Sequence, residues 1–167
     1  MKIYFDMDGV LANFEKGLRD LCGIEPVEQG KSNSKLDDVI WDAVCNIDHF
    51  YDKLEPIPGS FDLFYSLYKK YGNDCQILSA VPKPERNIPT AGDDKRRWVK
   101  RLLSPEVTVN IVLRKEKLDF CTGPDCVLID DYDKNIAEWT LQGGTGILFT
   151  SVESAEKQLH FSLLDTH

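Results

Sequence analysis

Long apolar runs are missing from this 167-residue chain. No stretch approaches the ~20 continuous apolar residues of a membrane span. The opening "MKIYF" meets Asp6 and Asp8 where a secretory leader would still be apolar, so a cytoplasmic location and no membrane partner are expected. Positive charge is in deficit: 20 Lys and Arg stand against 28 Asp and Glu, a formal net charge of −8. Such a surface repels phosphodiester backbones, and no nucleic-acid partner is expected. A single small anion can still bind at a local positive site, above all one built around a metal. Histidine is scarce as well. His49, His160 and His167 show no ligand spacing, so Cys121 and Cys126, which flank "TGPD", lack the further partners that zinc needs. The five cysteines are odd in number and irregular in spacing, which fits free thiols in a reducing compartment rather than a disulfide framework. Neither an internal repeat nor a low-complexity segment is present. "GGTG" at 143–146 lacks the lysine of a P-loop and precedes a strand, so it reads as a helix stop and turn.

What the chain has is alternation of strand-like and helix-like segments. Residues 2–5 read as a short buried strand. Leu11, Phe14, Leu18 and Leu21 follow at helical spacing within 10–21. "GIEPVEQGKSNS" reads as loop. A helical stretch over 35–54 is predicted from the apolar face Leu36, Val39, Ile40, Ala43, Val44 and Ile47, and "EPIPG" breaks it. Phe61, Phe64, Leu67, Tyr68 and Tyr71 mark a helix that stops at Gly72. Strands are then predicted over 74–80, 107–113, 126–131 and 145–150. Helices are predicted over 93–103, 134–142 and 152–164, the last with a capping box from Thr150 to Glu153. This order points to an α/β fold: a Rossmann-like wound parallel sheet with helices on both faces. The length suits one domain carrying an insertion. Residues 1–12 and 59–167 are expected to form the core, and 13–58 a small helical cap placed after the first strand. Ligands of wound sheets bind at the carboxyl ends of the strands, where Asp6, Ser79, Asp130 and Asp131 are expected.

The first strand ends in "DMD" and a later one in "LIDD". Carboxylates brought together at buried strand ends repel and are costly unless a cation sits between them. A hard divalent ion such as magnesium favours oxygen ligands and keeps positions open for water and phosphate oxygens. Ser79 offers a hydroxyl donor at another strand end. Lys115 and Lys117, in "IVLRKEKLDF", can bring positive charge. Carboxylate nucleophile, neighbouring carboxylic acid, hydroxyl, lysine and magnesium together suit phosphoryl transfer to an aspartate.

"DMDGVL", then Ser79, then a lysine, then "LIDD" resembles the four-motif signature of the haloacid dehalogenase superfamily. Further stretches are similar to the 5′(3′)-deoxyribonucleotidases: "KLEPIPG", "ILSAVPK", "DKRRWVKR", "IVLRKEK" and "LIDDYDKNIAEW". The likeness runs over most of residues 2–149. It implies that Asp6 is the nucleophile and a magnesium ligand. Asp8 would be the general acid and then the base, and would bind the ion through its backbone carbonyl. Ser79 would hold a phosphate oxygen. Lys117, with Lys115 as the fallback, would neutralise nucleophile and phosphate. Asp131 would be the direct metal ligand, supported by Asp130. Phe14 sits where relatives contact the nucleoside, Lys83 aligns with a basic residue beside the phosphate, and Ala80 is a further substrate-binding candidate. A carboxyl at Asp8 argues against dehalogenase chemistry and against ion-pump ATPases, whose residue two places after the nucleophile differs. Two departures stand out. Ser79 replaces the usual threonine, and the stretch before Trp41 is shorter than in mammalian relatives, leaving Phe14 and, more weakly, Phe50 and Tyr51 for the base.

Plainer readings compete for several of these residues. Phe14, Phe50 and Tyr51 fit cap core as well as base stacking. Trp41, Trp98 and Trp139 are expected to pack. Lys95, Arg96, Arg97, Lys100 and Arg101 are expected to form an exposed helix face, and His49 to be structural. The function expected is a magnesium-dependent phosphomonoesterase for nucleoside monophosphates. The alternatives are a phosphatase for a sugar phosphate or other small metabolite and a non-catalytic magnesium- or nucleotide-binding relative. Assembly is left open, with a homodimer allowed.

Overall fold

A computed structural model describes residues 1–25 and 34–164. The loop expected at 23–34 lies mostly outside these residues. Strand β1 (Lys2–Phe5) leads to helices α1 (Phe14–Cys22), α2 (Ser34–Cys45) and α3 (Ser60–Tyr71). Then come β2 (Cys75–Ala80), α4 (Ala91–Trp98), β3 (Val109–Val112), β4 (Cys126–Asp130), α5 (Asp133–Leu141), β5 (Thr145–Leu148) and α6 (Val152–Leu164). The five strands form one parallel sheet in the order β3-β2-β1-β4-β5.

Alternation along β1 sorts its side chains between two cores. Ile3 and Phe5 enter a large cluster with Ile77, Val127 and Ile129, covered by Leu63 and Phe64 of α3, Trp98 of α4 and Leu159 of α6. Tyr4 points the other way, to Leu78, Leu128 and Trp139, with Leu118 and Phe120 packed alongside. Both tryptophans are fully buried, and each satisfies its indole N–H on a backbone carbonyl: Trp98 on Leu54 and Trp139 on Cys126.

Strand order reverses between β1 and β4. The chain builds outward to β2 and β3 on one side, then returns to β4 and β5 on the other. Such a switch point opens a crevice beyond the carboxyl ends of the two central strands. Phe5 pairs with Ile129, so Asp6 and Asp130 leave the sheet side by side. Segment 13–58 departs and returns beside this crevice: the Asn13 N–H bonds the Glu55 carbonyl and the Ile57 N–H the Leu11 carbonyl, both at 2.8 Å.

Several element boundaries differ from the sequence reading. The stretch 35–54 is not one helix. α2 ends at Cys45, His49 takes a left-handed φ of 54°, and Phe50–Lys53 form a 3₁₀ turn. α1 starts at Phe14, because residues 7–12 are folded into a tight turn in which the Met7 carbonyl accepts from the N–H groups of Val10, Leu11 and Ala12. α4 closes in a wide π turn over Val99–Leu103. β3 is shorter than 107–113 because its ladder with β2 begins at Val109, opposite Ile77. α6 is capped by the Ser151 hydroxyl, which accepts from the Ser154 N–H, rather than by Thr150.

Candidate active site

The turn after β1 brings its two carboxylates to the crevice. The Asp6 N–H bonds the Ile129 carbonyl at 2.9 Å, which extends the β1–β4 ladder by one residue. Asp6 Oδ1 accepts from the Met7 N–H at 2.8 Å. Gly9, at φ 75°, lets the chain turn back against Asp131; a Cβ there would lie 2.0 Å from Asp131 Oδ2. Asp6, Asp130 and Asp131 each offer an oxygen, and these oxygens lie within 4.8 Å of one another. Hence the two strand-end motifs converge.

Two buried lysines face these acids. Lys117, on the 3₁₀ segment Arg114–Phe120, lies 2.7 Å from Asp130 Oδ2 and 3.1 Å from Asp6 Oδ1. Burial alone would lower its ammonium, but Asp6 and Asp130 outweigh burial and hold it above the usual lysine value. Lys115 is exposed, on the outside of the same turn. Asp130 is further held by the Asn135 amide at 2.9 Å on Oδ2 and the Tyr132 N–H at 2.9 Å on Oδ1. Asn135 is steadied in turn by Arg114, which also pairs with Glu138.

The second lysine, Lys95, corrects the reading of 95–101 as an exposed basic face. It is fully buried, and its Nζ donates to Asp8 Oδ2 at 2.7 Å, Ser79 Oγ at 3.0 Å and the Ala80 carbonyl at 2.5 Å. Its register carried the signal. Ala91, Lys95, Trp98 and Val99 fall at i, i+4, i+7 and i+8, the buried stripe of a helix, and all four are buried. The rest of the run does face outward: Arg97 and Arg101 pair with Asp52, and Arg96 bonds the Val109 carbonyl. His49 pairs at 2.7 Å with the buried Asp94. Asn135 is the other residue the sequence reading passed over. Its only signal was its place in the first turn after "LIDD".

The remaining candidates are arranged around Lys95. Tyr51 is buried with its ring centroid 4.6 Å from Lys95 Nζ, and Phe50 is buried beside it. Phe14 is half-buried and packs against Phe50, Tyr51 and Trp41. Ser79 is buried, Ala80 is half-buried and Lys83 is exposed.

Four carboxylates (Asp6, Asp8, Asp130 and Asp131) thus meet two ammonium groups, Lys95 and Lys117. The excess of negative charge registers in the acids. Burial, reinforced by Asp6, Asp130 and Asp8, pushes the Asp131 carboxyl up to about 8. Burial also raises Asp8, with Lys95 opposing and Asp6 adding to it. It raises Asp130 as well, where Asp6 adds and Lys117 opposes. A hard divalent cation beside Asp6 and Asp131 matches this set in donor type, in spacing and in charge.

Residues 1–162 match the family of the 5′ nucleotidase, deoxy (Pyrimidine), cytosolic type C protein. The mitochondrial 5′(3′)-deoxyribonucleotidase of Homo sapiens is 27% identical over 179 residues, covering 95% of this chain and 74% of that protein. The human cytosolic-type 5′(3′)-deoxyribonucleotidase is 29% identical over 168 residues, covering 90% of this chain and 80% of that protein. With the family's match running over all five strands and the converged acids, the chain belongs to the deoxyribonucleotidase family and is a phosphoric monoester hydrolase.

Proposed function

We propose that this hydrolase removes phosphate from nucleoside monophosphates, specifically 5′(3′)-deoxyribonucleotides, through an aspartyl-phosphate on Asp6 and with magnesium bound. The observation that carries the reading is the meeting of Asp6, Asp130 and Asp131 at the switch point, with Lys117 between the first two. Asp6 and Asp131 would hold the ion, with the Asp8 backbone carbonyl. Asp130 is engaged by Lys117, Asn135 and Tyr132, which suits a supporting role. Bound magnesium would offset the charge of the acids and of the phosphate oxygens.

In the first step an Asp6 oxygen forms a bond to phosphorus and the ester P–O bond breaks. The departing oxygen keeps that electron pair and takes a proton from Asp8. In the second step water attacks phosphorus, Asp8 recovers a proton from it, and the Asp6–phosphorus bond breaks to restore the carboxylate. Lys117 steadies Asp6 between attacks, and the Ser79 hydroxyl donates to a phosphate oxygen. General acid help is needed because a sugar alkoxide leaves poorly; such help is worth ~100- to 10,000-fold. Segment 13–58 would act as a cap, with Phe14 placed to stack on the base and Lys83 near the phosphate. A cytoplasmic site of action is part of this reading.

Purified protein with magnesium should release phosphate from deoxyribonucleotides faster than from ribose phosphate. Asp6→Asn should abolish release. Equal or greater activity on sugar phosphates would favour the broader phosphatase reading. Activity surviving Asp6→Asn would end the covalent mechanism.

A further inference from the structure

We propose that Lys95 is the positioning residue for proton transfer: it fixes the carboxyl group of Asp8 toward the leaving oxygen without itself touching substrate. This rests on the role given to Asp8 above. An ammonium has three protons to donate and no lone pair. Lys95 spends its three on Asp8 Oδ2, Ser79 Oγ and the Ala80 carbonyl, and the Tyr51 ring closes off its flank. Fully buried, it has nothing left to offer a phosphate. Lys117 is the lysine set between the nucleophile and Asp130, so the two buried cations divide the work.

Asp8 depends on this contact. Among the described residues, its Oδ2 bonds only Lys95, and its buried Oδ1 has no hydrogen-bond partner. A carboxyl group held by one bond points where that bond sends it. The donor is anchored far from the turn in sequence, on α4, whose Trp98 is pinned to the Leu54 carbonyl at 2.7 Å. Ser79 is aligned by the same nitrogen. Because an ammonium only donates, Ser79 Oγ accepts from it, and the hydroxyl proton must point away from Lys95. One nitrogen thereby orients both the acid and the hydroxyl.

A comparison of leaving groups separates positioning from mere support. Nitrophenolate departs without a proton, whereas a deoxyribose alkoxide needs one. kcat/KM reports the steps through ester cleavage, and Ser79 acts on both esters alike. In magnesium-loaded protein, Lys95→Met should lower kcat/KM for a deoxyribonucleoside 5′-monophosphate by ~100-fold or more relative to p-nitrophenyl phosphate. Asp8→Asn should change that ratio in the same way. In the Asp8→Asn background, Lys95→Met should change it no further, as a double-mutant cycle requires of residues acting through one another. The double variant also lacks an unpaired buried carboxylate, so it serves if Lys95→Met alone does not fold. Equal losses on both esters from Lys95→Met, or a further change of the ratio in the Asp8→Asn background, would overturn the proposal. A ratio untouched by Asp8→Asn would instead show that Asp8 is not the acid, and both readings would fall together.

Discussion

Gly9 and Asp131 are packed so closely that no side chain fits between them: a Cβ on Gly9 would sit 2.0 Å from Asp131 Oδ2. The φ of 75° at Gly9 adds a conformation that L side chains rarely adopt. Gly9→Ala must therefore push Asp131 or the β1 turn aside. The expected result is loss of most of the magnesium-induced rise in melting temperature. Phosphatase kcat/KM should fall on the order of 100-fold, as misplacing a group by about 1 Å can cost. Titrating magnesium by differential scanning fluorimetry checks the first, and steady-state kinetics the second. An unchanged magnesium response would mean that Asp131 is not needed to hold the ion.

Lys117 lies between two buried carboxylates, so removing its charge leaves both uncompensated. Lys117→Met should cost about 3–5 kcal/mol of folding stability, the range for breaking a buried ion pair. Activity should vanish as well, whereas Lys115→Met should change neither by much, since Lys115 is exposed. Urea denaturation of the three proteins at neutral pH measures the difference. Equal stability of the two variants would show that Lys117 is not the compensating cation.

The parts of this molecule legible in the sequence are those governed by short-range pattern. Residues 3–5 and 126–129 are apolar and buried on both faces, as strands between helical layers must be, and each strand delivers its acids at its end. Gly72 ends α3 as a C-cap at φ 55°. The break between Cys45 and Phe50 was not legible, because "NIDH" contains neither glycine nor proline. There a histidine takes the left-handed conformation and bonds Asp94, 45 residues away. Lys95 was misread for a related reason. A run of basic residues suggests solvent, and the partners that justify burying one of them come from the turn after β1 and from β2. Only the register with Ala91 and Trp98 pointed inward, and charge obscured it.

Burial sets thiol reactivity along the chain. Cys75 is fully buried on β2, which pushes its thiol up to about 12, and burial also raises Cys121 and Cys22. Cys45, at the end of α2, is exposed. Thiolate is the nucleophile, so native protein treated with iodoacetamide at about pH 8 should be alkylated first at Cys45. Cys75, Cys121 and Cys126 should react only after unfolding. Peptide mass spectrometry over a time course decides this. Early labelling of Cys75 would show that β2 opens readily.

The raised Asp131 carboxyl gives the metal-free protein an unusual pH dependence. An unfolded chain would leave this group near 3.9. Folding moves it up to about 8, through burial first and then Asp6, Asp130 and Asp8. Folded protein therefore binds the proton more tightly than unfolded protein. The associated stability is complete below about pH 4 and is lost as pH rises through about 8. Asp8 and Asp130 are raised and act in the same direction. In chelator, the melting temperature should thus fall between about pH 6 and about pH 8.5, the reverse of what salt-bridged carboxylates produce. Asp131→Asn removes one acid at nearly constant volume and should flatten the decline. Magnesium binds the deprotonated set, so it should raise the melting temperature more at the higher pH. Scanning fluorimetry of both proteins, with and without the ion, measures all of this. A melting temperature that rises with pH in chelator would show that the folded chain does not hold these carboxyls above their unfolded values.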